Sequence, residues 1–207
     1  MTITHVFFDI GGVLATNGWD RNDRREAAAH FAIDLDDYTR RHDEIVAAFE
    51  EGRLTLDEYL DRSVFIKPRS FTPEDFKAFM YRQSKPFPHS LAVARALCAS
   101  KSVRMCIASN ESEELSRYRM RLFGLTEIFD TFLASCWIGV RKPAPNFFER
   151  CVEVTAARAE QSLFIDDREE NIAAAAAFGF KVILFQSAEQ LRRALAASGL
   201  ELNIQHG

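Results

Sequence analysis

Four short polar stretches follow apolar runs in this chain, and their residue types are those that do chemistry. Asp9 ends the run "FFD" and leads into Gly11-Gly12. Ser109-Asn110 closes "MCIASN", Lys142 stands in Arg141-Lys142-Pro143, and Asp166-Asp167 closes "SLFIDD". Singly, most have ordinary explanations. An acid or a Ser-Asn pair ahead of a helix is a usual N-cap, and a lysine is most often a solvated charge. The paired acids are harder to dismiss, because adjacent carboxylates repel unless a cation or hydrogen bonds intervene. The four in this order, at successive run ends, are far more specific than any one alone.

Something must bring them together. Residues 4–8, 103–108, 131–135, 162–165 and 181–185 are continuous apolar runs rather than alternating ones, the pattern of strands buried on both faces. Helical patterns lie between the later runs, at 88–100, 111–123, 145–154 and 170–178; Gly124 and Gly179 are placed as C-terminal stops. This alternation predicts an α/β fold with a doubly wound parallel sheet. Ligands bind beyond the carboxyl ends of such strands, where Asp9, Ser109-Asn110 and Asp166-Asp167 would meet and a flexible lysine stem could join them.

Residues 17–86 break the rhythm. Thr55-Leu56-Asp57-Glu58 is a capping box after a possible helix stop at Gly52, and Thr72-Pro73-Glu74-Asp75 is a second helix start. Four short helices fit this stretch, and Lys85-Pro86-Phe87-Pro88 marks the return. The division expected is an α/β unit of residues 1–16 and 87–207 interrupted by a helical insert of 17–86.

Composition excludes several classes. The 207 residues are 47% hydrophobic, enough for a sizeable core, and carry a formal charge of -4 with no basic run. Neither nucleic acid nor a membrane is expected as a partner. The N-terminus shows no secretory pattern, which makes a cytoplasmic protein the expectation. Cys98, Cys106, Cys136 and Cys151 form no C-x-x-C pair and read as reduced thiols.

The pieces "FFDIGGVL", "IASN", "RKPAPNFF" and "FIDDREENI" together resemble the haloacid dehalogenase superfamily over nearly the whole length, in the branch with a helical cap inserted after the first strand. The resemblance implies a three-layer doubly wound core with residues 17–86 as the cap. It implies that Asp9 is a nucleophile that attacks phosphorus to form an aspartyl-phosphate. Mg²⁺ would be held by Asp9, the Gly11 carbonyl and Asp167, with Asp166 helping directly or through water. Ser109 and the backbone N–H after it, at Asn110, would hold phosphate oxygens, with Gly12 beside them, and Lys142 would neutralise the reacting anions.

One position departs from that pattern. Phosphatases of the superfamily mostly carry a second Asp two residues after the nucleophile, and here Gly11 stands there. Three readings follow. The chain resembles D-x-G sugar-phosphate phosphatases, with a cap group or water handling the proton; this is the preferred reading. Alternatively it is a metal-independent 2-haloacid dehalogenase, which the intact Asp166-Asp167 pair opposes, or a phospho-ligand binding protein with little turnover. Specificity is expected from Asn17 and Trp19 after the first strand and from Glu51, Gly52 and Arg53 between cap helices, although Gly52 is equally a helix stop and its neighbours solvated charges. His30 and His42 read as helix-face residues, and Gly11 is expected to need a positive φ. The substrate class is a small phosphorylated metabolite such as a sugar phosphate, and the protein a monomer or homodimer.

Overall fold

In the computed structural model, which describes residues 2–202, the five apolar runs form one parallel sheet. Its strands are β1 (His5–Phe8), β2 (Arg104–Ser109), β3 (Thr131–Ala134), β4 (Ser162–Asp166) and β5 (Lys181–Leu184), in the spatial order β3-β2-β1-β4-β5. β1 is central. The chain winds to one side through β2 and β3 and to the other through β4 and β5, so the switch in winding lies beside the end of β1. β2 and β4 each run one residue further than the apolar pattern predicts. Ser109 pairs in register with Ala134, and Asp166 with Leu184, so both polar groups sit at the last paired position of a strand.

The continuous apolar runs follow from burial on both faces. Val6 and Phe8 of β1 pack with Leu91, Ala94 and Leu97 of helix α5 (Pro88–Ser100) and with Leu191 and Leu195 of α10 (Ala188–Ala197). Phe7 points the other way, into a cluster with Phe147, Phe148 and Cys151 of α8 (Pro145–Thr155) and Ala175 of α9 (Glu169–Phe178). Each such ring or branched side chain contributes roughly 1.5–3 kcal/mol of burial. Helix α10 is an addition to the expected segments. Ser187 caps it, and Leu191 and Leu195, four apart, form its inward stripe. Helix α6 (Glu113–Phe123) starts two residues later than expected because Ser112 occupies the N-cap.

Between β1 and α5 lie four helices: α1 (Arg21–His30), α2 (Leu35–Glu50), α3 (Leu56–Ser63) and α4 (Pro73–Arg82). α2, at 16 residues, is not short. These helices enclose their own apolar cluster around Tyr38, Tyr59, Leu60, Phe76 and Met80. Reciprocal capping boxes at Thr55–Glu58 and Thr72–Asp75 set two of their starts, as the sequence pattern predicts, and Asp20–Asp23 sets a third. The chain crosses between sheet and helices twice, side by side: Thr16 N–H donates to the Lys85 carbonyl at 2.9 Å, and Phe87 N–H to Leu14 at 2.8 Å. Arg119 of α6 binds both crossings, with Nη2 on the Thr16 carbonyl and Nε on Ser84 Oγ at 3.2 Å.

A second contact closes the helical unit onto the sheet. Gly52 has φ of +71°, and a β-carbon there would collide with the Cys136 carbonyl of α7 (Ser135–Ile138). Ser135 Oγ donates to the Glu50 carbonyl at 2.6 Å, and Leu56 N–H donates to Glu114 Oε1 at 2.8 Å. Gly52 is thus more than a helix stop, since the close approach of two backbones requires it. All four cysteines are free thiols. Among the described residues no helix is long and apolar enough to cross a membrane.

Candidate active site

β1 ends on Phe8, and the chain turns at once, so Asp9 stands at the carboxyl edge of the central strand with its Oδ1 accepting from Ile10 N–H at 2.7 Å. It is buried. Neighbouring β4 delivers Asp166, fully buried, and then Asp167. One carboxylate oxygen from each of Asp9, Asp166 and Asp167 falls within 4.8 Å of the others. Lys142, also buried, reaches in from the loop after α7. Its Nζ lies 2.6 Å from Asp166 Oδ2 and 3.1 Å from Asp9 Oδ2.

Hydrogen bonding separates the acids by role. Asp166 is saturated: Oδ2 takes Lys142, and Oδ1 accepts from Arg168 N–H and from Asn171 Nδ2, both at 2.9 Å. Asp167 is the opposite case, since its Oδ1 is buried without a partner among the described residues. A buried carboxylate oxygen left bare is costly unless a cation or donor fills the gap. Gly12 leaves room for it. At φ +72° a β-carbon on residue 12 would overlap the Asp167 carboxylate. The Gly11 carbonyl takes no hydrogen bond from the described residues. Bare carboxylate oxygen beside a second carboxylate and a free carbonyl is a hard-oxygen donor set that fits Mg²⁺.

The charges balance against burial. Desolvation raises the Asp9 carboxyl, Lys142 opposes the rise, Asp166 adds to it and the Ser109 hydroxyl lowers it, and the balance of these leaves it at about 6. Burial by itself would lower the Lys142 ammonium, yet the Asp9 and Asp166 charges outweigh it and the shift is upward. Lys142 therefore stays charged. Asn110 fixes its backbone from both ends, donating through Nδ2 to the Lys142 carbonyl and accepting from Lys142 N–H, each at 2.8 Å.

Above Asp9 lies a cavity of about 470 Å³ between sheet and helical unit. Of the residues expected to act, Asp9, Gly11, Asn17, Ser109, Asn110 and Lys142 line it, as does Trp19. Gly12 and the Asp166-Asp167 pair are not among its lining residues, although both acids bring an oxygen within 4.8 Å of Asp9. Glu51 and Arg53 do not line it: they pair with each other at 2.6 Å near the surface, and Glu51 borders an adjoining depression that shares Arg141, Lys142 and Pro143 with the cavity. The residue that reaches it is the one before them. Glu50 lines the cavity and pairs with Arg141 at 2.8 Å. Helix α2 ends at Glu50, and the turn after it carries Glu51 away. The expected positive φ belongs to Gly12; Gly11 lies outside that region, and the atoms nearest a β-carbon there belong to Asn17, Oδ1 at 2.9 Å and Cα at 3.4 Å.

Three contributors besides Glu50 escaped the sequence reading. Asn171 lies inside "FIDDREENI", but only the start of α9 shows that it holds Asp166. His42, set aside as a helix-face residue, lines the cavity, and Arg24 of α1 joins it. The faces of the insert helices could not be oriented without knowing which one covers Asp9.

A family model described as haloacid dehalogenase-like hydrolase matches residues 3–179. The phosphoglycolate phosphatase of Aquifex aeolicus (strain VF5) is 29% identical over 101 residues, 49% of this chain and 47% of that protein. Flavin mononucleotide hydrolase 1 of Arabidopsis thaliana is 26% identical over 164 residues, 79% of this chain and 66% of that protein. The chain thus spans about half of the first relative and just under two thirds of the second. Among solved structures, a family enzyme from Bacteroides thetaiotaomicron in complex with magnesium and inorganic phosphate superposes with a TM-score of 0.76 at 20% identity, covering 89% of this chain and 94% of that one. The L-2-haloacid dehalogenase of Xanthobacter autotrophicus superposes with 0.62 at 22% identity, covering 95% and 83%. At these identities the superpositions show a shared fold.

Proposed function

The chain belongs to the haloacid dehalogenase-like hydrolase family, and from that premise we propose that it is a Mg²⁺-dependent phosphomonoester hydrolase acting through an aspartyl-phosphate on Asp9. The observation that carries this reading is the unpartnered, buried Oδ1 of Asp167 beside the Asp9 carboxylate. A hydrolase attacking carbon without a metal has no use for that oxygen. Asp9, the Gly11 carbonyl and Asp167 would hold Mg²⁺ directly, while Asp166, saturated by protein donors, would act by holding Lys142 or through water. Bound there, the ion would supply positive charge to the phosphoryl oxygens.

The chain's own groups account for the rest. Asp9 Oδ2 would attack phosphorus in line with the departing alkoxide, forming the acyl-phosphate bond as the ester P–O bond breaks. Lys142 would offset the repulsion between that carboxylate and the phosphoryl group, and Asn110 keeps its stem in place. The Ser109 hydroxyl and the Asn110 N–H would donate to phosphoryl oxygens. Water attack on the acyl-phosphate would then return Asp9 and release phosphate. We read the four-helix unit, residues 17–86, as a cap that closes over the leaving group, with Trp19, His42 and Glu50 facing it. The substrate class is a small phosphorylated metabolite.

The test is phosphate release across a set of metabolite phosphates, with Mg²⁺ and with the metal chelated. Turnover that depends on Mg²⁺ and falls more than about 10³-fold in Asp9→Asn is expected. Turnover indifferent to chelation would point to carbon chemistry, and no turnover with tight phosphate-ester binding would point to a binding protein.

A further inference from the structure

Two arginines of the cavity wall have no carboxylate partner among the described residues: Arg21, which is exposed, and Arg24, which is half-buried. The buried and half-buried cations around Arg24 are matched: Arg119 with Glu111 at 2.7 Å, Arg141 with Glu50 at 2.8 Å, and Lys142 with Asp9 and Asp166. Arg24 has no carboxylate within 4.0 Å among the described residues. Its one hydrogen bond is from Nη1 to the Trp19 carbonyl, at 2.9 Å, and its Nε is buried with no partner. Nη1 is the terminal nitrogen on the Cδ side of the guanidinium, turned away from the Nε–H bond. The edge left free is therefore Nε with Nη2, the fork that grips a carboxylate or phosphate with two parallel bonds.

His42, on the same cavity wall, supplies a second donor of fixed kind. Tyr59 OH has three partners: Trp19 Nε1 at 3.2 Å, Tyr38 OH at 3.3 Å and His42 Nδ1 at 2.8 Å. Trp19 can only donate. All protons find an acceptor if Tyr38 also donates to Tyr59, and Tyr59 spends its single proton on His42 Nδ1. The proton on the imidazole then sits on Nε2, which has no partner among the described residues. Burial, with Arg24 and Arg141 nearby, lowers the ring to about 3, so it stays neutral and is a hydrogen-bond donor, not an acid.

We infer that Arg24 and His42, on the helical-unit wall of the cavity that Asp9 also lines, form an anion subsite, and that the substrate is a phosphomonoester carrying a second anionic group, a carboxylate or phosphate, at its far end. This rests on the phosphatase reading for its first phosphate. Lys142 and Asp9 would manage the reacting end, and Arg24, carried on α1 of the helical unit, would select the leaving group.

Binding, rather than turnover, separates the two claims. Calorimetry on the Asp9→Asn protein would compare 3-phosphoglycerate with glycerol 3-phosphate, which differ by a carboxylate against a hydroxymethyl. Fructose 1,6-bisphosphate and fructose 6-phosphate give the second-phosphate arm. The doubly anionic member of at least one pair should bind roughly 10- to 100-fold more tightly, the range for hydrogen bonds to charged groups. Adding Arg24→Gln should collapse that ratio, and Arg24→Lys, which keeps the charge but loses the fork, should restore part of it. Melting curves confirm that the variants fold. Equal affinity within both pairs, no binding of either doubly anionic ligand, or a preference that survives Arg24→Gln would each overturn the subsite. A persistent preference in a protein that hydrolyses nothing would keep the subsite and remove the phosphatase reading.

Discussion

The carboxylate of Asp167 occupies the volume where a side chain on Gly12 would begin. Two constraints coincide at that residue: a φ of +72° and contact with a group offered to a cation. Gly12→Ala should therefore cost about 1–2 kcal/mol of stability for the left-handed backbone and also displace Asp167. Mg²⁺ titration of activity and a denaturation curve read the two effects separately. The expected result is a raised half-saturation for Mg²⁺ well beyond what the modest loss of stability explains. Unaltered Mg²⁺ dependence in a folded variant would mean that Asp167 does not bind the ion.

His42 sets a pH dependence. Its folded value near 3 lies below the unfolded 6.5, so the native state refuses a proton that the unfolded chain accepts. Stability from this group is complete above pH 6.5 and is lost as the pH falls toward 3, at up to about 1.4 kcal/mol per unit. Carboxylates titrate over part of the same window, so the informative quantity is the difference between the parent and His42→Gln. The variant should be somewhat less stable at pH 7.5, where the bond to Tyr59 is lost, and its melting temperature should fall less between pH 6.5 and 4.5. Parallel curves would show that His42 is protonated freely in the fold.

Arg119 and Glu111 form a buried pair at the root of the helical unit. Both are almost fully inaccessible, and burial raises the Glu111 carboxyl despite the arginine beside it. Glu111 also accepts from Ser116 Oγ at 2.9 Å. Arg119→Met would strand that carboxylate and free both chain crossings, at a cost of about 3–5 kcal/mol. Replacing both, Arg119→Met with Glu111→Leu, should recover much of the loss, since no unpaired charge remains. Chemical denaturation of the two variants decides it: a double variant as unstable as the single would assign the arginine's value to Thr16 and Ser84 instead.

How much of this could be read from sequence divides along physical lines. Apolar runs buried on two faces carry a strong local signal, so β1 to β5 and their parallel pairing follow from residues 4–8 and their counterparts, whereas the spatial order β3-β2-β1-β4-β5 does not. Capping boxes are equally local, and Thr55 and Thr72 were legible. Acids and amides at strand ends were legible because the sheet itself gathers them. What escaped depends on packing between units. Glu50 rather than Glu51 faces the cavity because α2 ends one residue before its turn. Arg24 and His42 acquire meaning only once α1 and α2 lie above Asp9, and no periodicity encodes which face of a small helical unit that is. Asn110 looked like a cap, whereas its amide spans Lys142, 32 residues on.

The absence of an acid at residue 11 leads to the last prediction. A phosphatase that lacks it must expel an alkoxide unaided, and general acid–base catalysis is worth roughly 10²–10⁴-fold. The cavity offers few substitutes. Asp20 Oδ1 accepts from Asn22 and Asp23 N–H, Glu50 is paired with Arg141, Glu111 with Arg119, Glu170 is solvent-exposed beside Arg168, and neutral His42 is too weak an acid. Asn17 stands closest to the vacated position, and an amide can orient a leaving oxygen without protonating it. Aryl phosphates, whose leaving groups need no proton, should therefore react faster than sugar phosphates in the first step. The aspartyl-phosphate should accumulate as a burst of phenol release, because water attack also lacks a base. The backbone allows a direct repair. Gly11 is not in the left-handed region, and only Asn17 Oδ1 crowds its β-position. Gly11→Asp combined with Asn17→Ala should fold, abolish the burst and narrow the gap between leaving groups by at least about tenfold. If the parent shows no burst and equal rates for both esters, a group already in the cavity supplies the proton. Glu50, released from Arg141 by cap movement, would then be the first residue to replace.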